Sequence, residues 1–223
     1  MTLALDHLVL AARTLEEGVA WCETTFGLRP AAGGQHVFMG THNRVLGIGA
    51  GAFPRSYFEI IAIDPSLRTP QRVRWFGLDQ PALQQALAHG PQLVAWVARC
   101  DRIAATHAAL LAAGIDCGAI EAAERATPRG LLRWQISLRA DGRRLLGGAA
   151  PALIEWGDVH PTDSFVSSGV ELKAMRLGGW PEALAPMLPP PIERNTAAGA
   201  PAIEIELSCP RGLVALRSQP SEG

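Results

Sequence analysis

The chain has 223 residues, enough for one large domain or two small ones, and its 48% hydrophobic and 18% charged content provides a sizeable core and excludes wholesale disorder. Lys+Arg 20 against Asp+Glu 21 give a formal charge of -1, which argues against a polyanion-binding protein, and no basic-aromatic array suggests nucleic acid. No apolar run approaches the ~20 residues that span a bilayer, the N-terminal stretch carries Asp6 and His7 rather than a basic leader, and the four cysteines lack C-x-x-C spacing. A cytoplasmic protein with reduced thiols is expected.

In chain order, Ala4 to Ala12 alternates as a strand, with Leu5, His7 and Val9 on one face. Thr14 then caps a helix, with Glu17 three residues on as the second half of a capping box and Gly27 as its left-handed stop. Strands are expected over Gln35 to Gly40, Arg44 to Gly49 and Ser56 to Ile63, which makes the unit βαβββ. A bridge over 66–91 with a helix near Pro81 to Ala88 leads to a second pass. Gln92 to Ala98 is a strand, Asp101 starts a helix that stops at Gly114, and Cys117 to Glu121, Leu131 to Arg139 and Ala152 to Trp156 are strands. Thr14 to Gly27 and Asp101 to Gly114 have the same spacing, which favours duplication. A third, abbreviated copy follows: a strand over Val170 to Leu177, a short helix from Pro181 through Leu188, and a hairpin of Ala202 to Cys209 with Leu213 to Arg217. The expected class is α+β. Paired βαβββ modules (about 3–65 and 92–157, together residues 1–165) form a cupped mixed sheet around a cleft, and a partial βαββ module over 166–223 packs on them.

These landmarks resemble the vicinal oxygen chelate superfamily (glyoxalase, bleomycin resistance and extradiol dioxygenase proteins), in its glyoxalase-like branch. The residues that carry the resemblance are Leu5-Asp6-His7-Leu8-Val9, Gly33-Gly34-Gln35-His36 with Gly40-Thr41-His42-Asn43, Tyr57-Phe58-Glu59-Ile60-Ile61, Leu153-Ile154-Glu155-Trp156-Gly157 and His160-Pro161. The resemblance implies a divalent metal held by side chains from the first and last strands of each unit. Carried over, it assigns His7 and Glu59 in the first unit and Glu155 in the second. The remaining position, seven residues before Asp101, is Val94, which cannot ligate and speaks against an extradiol dioxygenase. A homodimer is also implied, unless the third module covers the sheet edge.

Two carboxylates on otherwise apolar strand faces are costly unless paired, and a divalent cation with one imidazole would balance them. Mn²⁺, Ni²⁺, Zn²⁺ or Mg²⁺ would suit such a set, and Glu59 or Glu155 would move a proton. Alternatively, Arg133 or Arg44 neutralises the glutamates in a metal-free cleft. His36, His42 and Asn43 flank a Gly-Thr turn and are candidate substrate contacts, as are Trp96, which by alternation shares the face of Val94, and Trp134. Trp156 falls opposite Glu155. No strand-to-helix G-x-G-x-x-G occurs, so no nucleotide cofactor is expected. The leading functional expectation is a metal-dependent lyase or isomerase acting on a small oxygenated metabolite. The alternatives are a metal-free protein that sequesters a small molecule, and an inert paralogue whose sheet serves for assembly.

Overall fold

A computed structural model describes residues 3–127 and 130–219, so both ends of the expected domain division lie outside the described residues. The first unit runs β1 (Leu3–Ala11), α1 (Leu15–Phe26), β2 (Ala31–His36), β3 (Thr41–Gly47) and β4 (Tyr57–Ile63). The bridge holds α2 (Pro81–Leu87). The second unit runs β5 (Gln92–Cys100), α3 (Ile103–Ala112), β6 (Ala119–Thr127), β7 (Gly130–Leu138) and β8 (Ala152–Trp156). Their strands form one curved eight-stranded sheet in the order β2-β3-β4-β1-β5-β8-β7-β6, joined where β1 and β5 pair antiparallel. The α+β class and the duplicated βαβββ order are as expected.

Local chemistry explains most element ends. Thr14 is extended and accepts from the Glu17 amide at 3.2 Å, while Gly27 takes the left-handed φ of 79° that closes α1. The return half of the capping box is missing, because the Glu17 carboxylate pairs with Arg13 instead. The strand expected over Gln35 to Gly40 lies earlier, since Val37–Met39 form a 3₁₀ turn that Gly40 ends. β6 runs six residues beyond the expected end at Glu121, held by its ladder with β7 rather than by propensity. The N-cap of α3 is Arg102, not Asp101, and its side chain makes no capping bond. Glu155 of β8 takes that role: its carboxylate accepts from the Ile103 amide at 2.6 Å.

The third unit comprises β9 (Glu171–Gly178), β10 (Glu193–Asn195), β11 (Ile203–Cys209) and β12 (Gly212–Arg217), a separate sheet ordered β10-β9-β11-β12. The expected short helix is a 3₁₀ segment, Glu182–Met187, with Pro186 inside it, where a missing N–H cannot continue an α-helix. Leu172, Met175, Leu177, Ile203, Ile205 and Leu207 join Phe26 and Leu110 of the helices in one core on the convex face of the large sheet. A second core, on the concave face, is built from β1, β5, β7 and the bridge residues Trp75, Leu83 and Leu87. No described helix is long and apolar enough to cross a membrane.

The cap on α3 makes a checkable demand. Glu155→Ala lowers unfolding free energy by about 1 kcal/mol in urea denaturation, as the loss of a side-chain N-cap does. No change would show that the helix start does not rely on β8.

Candidate functional site

The cleft on the concave face has a volume of ≈ 310 Å³. Its polar residues start from an irregularity in β1. Leu5 pairs with Ala98 and His7 with Val97, so Asp6 has no partner across the ladder and forms a β-bulge. The bulge breaks the alternation: Leu5 packs in the convex-face core, whereas His7 lines the cleft. Asp6 is fully buried, and its carboxylate accepts from His7 Nδ1 at 2.7 Å, His160 Nε2 at 2.9 Å and Trp156 Nε1 at 3.0 Å. Burial opposes ionisation of this carboxyl, but the hydrogen bonds from His160 and His7 outweigh it and hold Asp6 well below the usual carboxylate range.

An ionised carboxylate only accepts, which fixes both tautomers. His160 carries its proton on Nε2, and its Nδ1 accepts from the Thr162 amide at 3.2 Å. His7 carries a proton on Nδ1, which leaves Nε2 directed into the cleft, 3.6 Å from Glu59 Oε2. The other oxygen, Glu59 Oε1, accepts from Asn43 Nδ2 at 2.5 Å, and Asn43 Oδ1 accepts from the Gly34 amide at 2.8 Å. Tyr57 stacks on the His7 ring at 4.5 Å, and burial, then the negative charges of Asp6 and Glu59, push its phenol well above the ordinary range.

Trp134 and Trp156 form one wall, with ring centroids 5.5 Å apart. His36 lines the other end, with Nδ1 3.2 Å from Thr41 Oγ1 and its ring edge-on to Trp75 at 5.0 Å. Burial, then the Arg125 charge, pushes His36 down to about 3, so it is a neutral ring. Of the residues expected at the site, His7, Glu59, Asn43, His36 and Trp134 therefore share one cleft.

Three do not. Glu155 lies on the opposite face of β8, where it caps α3, and it is Trp156 that faces the cleft. Trp96 is fully buried in the convex-face core, donating to the Ala149 carbonyl at 2.8 Å. The cause is a second bulge: Val9 pairs with Ala95 and Leu10 with Leu93, so Val94 is unpaired and the alternation reverses after it. His42 turns outward on β3 and stands 3.4 Å from Asp64. Arg133, considered as a counter-charge, pairs with Glu124 at the surface. His160 and Arg125 complete the lining of the cleft, and Asp6 is buried behind it, without having been assigned to the site. Only Asp6 and His160 left a trace in the sequence, as members of the motifs around His7 and Pro161.

Register tests whether these residues fit a divalent metal. His7 precedes the cap Thr14 by seven residues, as Ala95 precedes Arg102. Two places on, Val9 pairs with Glu59 and Val97 pairs with Ala152. The second unit thus offers alanine at both positions equivalent to His7 and Glu59. Asp6 cannot replace Glu155, because both of its oxygens are already engaged. Among the described residues no three His, Cys, Asp or Glu side chains are grouped to hold a metal ion. The expected His7, Glu59 and Glu155 set is not assembled.

A duplicated βαβββ sheet with its polar centre on the first and last strands of one unit defines a class of protein. The model of the glyoxalase-like domain matches residues 5–189, and the chain belongs to that family, within the vicinal oxygen chelate superfamily. Among solved structures, a hypothetical protein from Staphylococcus aureus is 12% identical with a TM-score of 0.56, covering 98% of this chain and 87% of that one, a likeness of fold. A methylmalonyl-CoA epimerase variant from Streptomyces coelicolor, in complex with 2-nitronate-propionyl-CoA, is 16% identical (TM-score 0.42; 71% and 99% covered). The methylmalonyl-CoA epimerase from Mycobacterium tuberculosis is 14% identical (TM-score 0.40; 73% and 92% covered). No curated protein gives a significant match.

Two outcomes follow from this geometry. Below its ordinary value of 6.5 the unfolded chain protonates His36, while the folded chain refuses the proton down to about 3. Stability therefore falls with pH through that window, by up to ~1.4 kcal/mol per unit from this group, and His36→Gln flattens the slope of urea-unfolding free energy between about pH 7 and 5. An unchanged slope would contradict the burial argument. Secondly, Mn²⁺, Ni²⁺, Zn²⁺ or Mg²⁺ in about tenfold excess moves the melting temperature of wild type by less than about 1 °C. A larger shift that disappears in His7→Ala would show that the two donors recruit a metal after all.

Proposed function

We propose that the chain is a small-molecule enzyme whose chemistry is proton transfer at a carbon beside a carbonyl group. The observation that carries this is the juxtaposition of His7 Nε2 and Glu59 Oε2 at 3.6 Å, with each group's other polar atom already committed, to Asp6 and to Asn43. Two acceptors facing each other in a buried cleft leave a place for one mobile proton. In the step proposed, Glu59 takes the carbon-bound proton, the C–H electron pair forms a carbon–carbon double bond, and the carbonyl π pair moves onto the oxygen. His7, carrying a second proton on Nε2, donates to that oxygen. Asp6 balances the charge His7 then bears, as an orienting carboxylate does for a catalytic imidazole. Return of the proton to the same or the neighbouring carbon completes an epimerisation or isomerisation. The chemistry is assigned to residues 1–165, and 166–223 serve as a cover for the convex face.

The indoles of Trp134 and Trp156 favour one competing reading, a protein that binds and sequesters a flat small molecule without turnover. Solvent exchange separates the two. Incubated in D₂O with 2-oxo acids and hydroxyketones, the wild-type protein washes deuterium into the carbon beside the carbonyl of its substrate, followed by proton NMR. Glu59→Gln slows this by about 100-fold or more, the usual worth of a general base. Exchange that is indifferent to Glu59 would defeat the proposal, and binding without exchange would favour sequestration.

A further inference from the structure

The strand order leaves β2 and β6 as the two edges of the large sheet, and its curl sets Arg125 of β6 against Gly34 of β2. The approach is close: a Cβ on Gly34 would stand 2.6 Å from Arg125 Nη1. Among the described residues that line the cleft, Arg125 is the only lysine or arginine. Its Nη1 is buried and has no hydrogen-bond partner. A second cleft-lining donor, Trp75 Nε1, is buried and unpartnered in the same way. The two belong to one end of the cleft, because the Trp75 ring lies against His36, and His36 also feels the Arg125 charge.

Buried donors without acceptors are rare in native proteins and call for a partner, such as a bound ligand. A guanidinium N–H and an indole N–H, both from residues that lie near His36, offer donors for the two oxygens of a carboxylate. A doubly charged phosphate fits less well, because a single cation serves this cleft and it already holds the Glu59 carboxylate. Trp134, Trp156 and Phe76 line the same cleft, and they suit a flat apolar body.

We propose that Arg125 and Trp75 form a carboxylate subsite, and that the substrate is a small carboxylic acid with a flat apolar body whose reacting carbon reaches Glu59. This rests on the proton-transfer reading of the cleft only for what happens to the ligand, not for its recognition.

The test compares matched acids and amides on the full-length protein: phenylacetate with phenylacetamide, and indole-3-acetate with indole-3-acetamide, titrated by calorimetry and tryptophan fluorescence. Each acid binds wild type about 10- to 100-fold more tightly than its amide, as a charge-assisted pair in a buried site requires. Arg125→Met removes that preference and leaves amide binding in place. Gly34→Ala, which puts a methyl group 2.6 Å from the present position of Nη1 and keeps the charge, reduces it as well. Equal binding of acid and amide, a preference that survives Arg125→Met, or no binding of any of the four at about 10 mM would each overturn the subsite. Glu59→Gln retains the acid preference or increases it, because it removes a negative charge from the cleft without touching Arg125. A preference that depends on Arg125, with deuterium exchange that ignores Glu59, would therefore retain the subsite and remove the proton-transfer reading; the opposite pattern would do the reverse.

Discussion

The whole site hangs on one buried charge. Moving a lone carboxylate out of water costs several kcal/mol or more, and a folded chain tolerates it only where donors surround it. Asp6 has hydrogen bonds from His7, His160 and Trp156, which come from the first strand, the last strand of the second unit and the loop that follows it, and the Arg99 guanidinium stands 3.7 Å away. Satisfying Asp6 therefore ties the far ends of the paired modules together. It also fixes the tautomer of His7, and with it the state of the nitrogen that faces Glu59. A neutral residue at position 6 would leave two imidazoles and an indole to find other acceptors, and neither the ring position nor the proton position of His7 would be determined.

Duplication makes the asymmetry of the site visible. Asp6 and Val94 are both unpaired bulge residues on the strands that join the two units. The backbone device survives in both halves, but its chemistry survives in one. The first unit places Asp6, His7 and Glu59 where the second places Val94, Ala95 and Ala152. In the second unit, β7 and β8 line the cleft with Trp134, Ile136, Ile154 and Trp156. One half of the cleft thus handles protons and the other excludes water and holds apolar surface. An enzyme needs such a division when a carbon acid must be ionised inside a dry pocket.

The same bulges set the limit on what the sequence revealed. Helix caps and stops at Thr14, Gly27 and Gly114, and the repeated order of elements, depend on local chemistry and were legible. Which face a strand residue occupies was legible only up to the first bulge, because the two-residue period cannot register an inserted residue. Leu5 and Trp96 were assigned to the cleft side for that reason and lie in the other core. Glu155 was misplaced differently: the resemblance suggested a ligand at a strand end, while the register puts Ala152 there and gives the glutamate to the bare N-terminus of α3. Arg125 was invisible because Ala122, Ala123 and Glu124 before it have poor strand propensity, and only pairing with β7 extends the strand that far.

Gly33 and Gly34 show how tightly the first unit's edge is committed to the site. On β2, Ala32 pairs with Arg44 and Gln35 with His42, so the two glycines together stand opposite Asn43 alone. A Cβ on Gly33 would fall 2.0 Å from Asn43 Oδ1, and one on Gly34 would meet Arg125. Bare backbone there lets the Gly34 amide hold Asn43, which in turn holds Glu59 Oε1 and leaves Oε2 for His7. A side chain at position 33 would push Asn43 aside, and Glu59 would lose the hydrogen bond that orients it. The contacts from Gly34 through Asn43, Glu59, His7 and Asp6 to His160 form one chain that is hydrogen-bonded at every link but one. The facing pair at that link, His7 Nε2 and Glu59 Oε2, is where the fold leaves chemistry to be done.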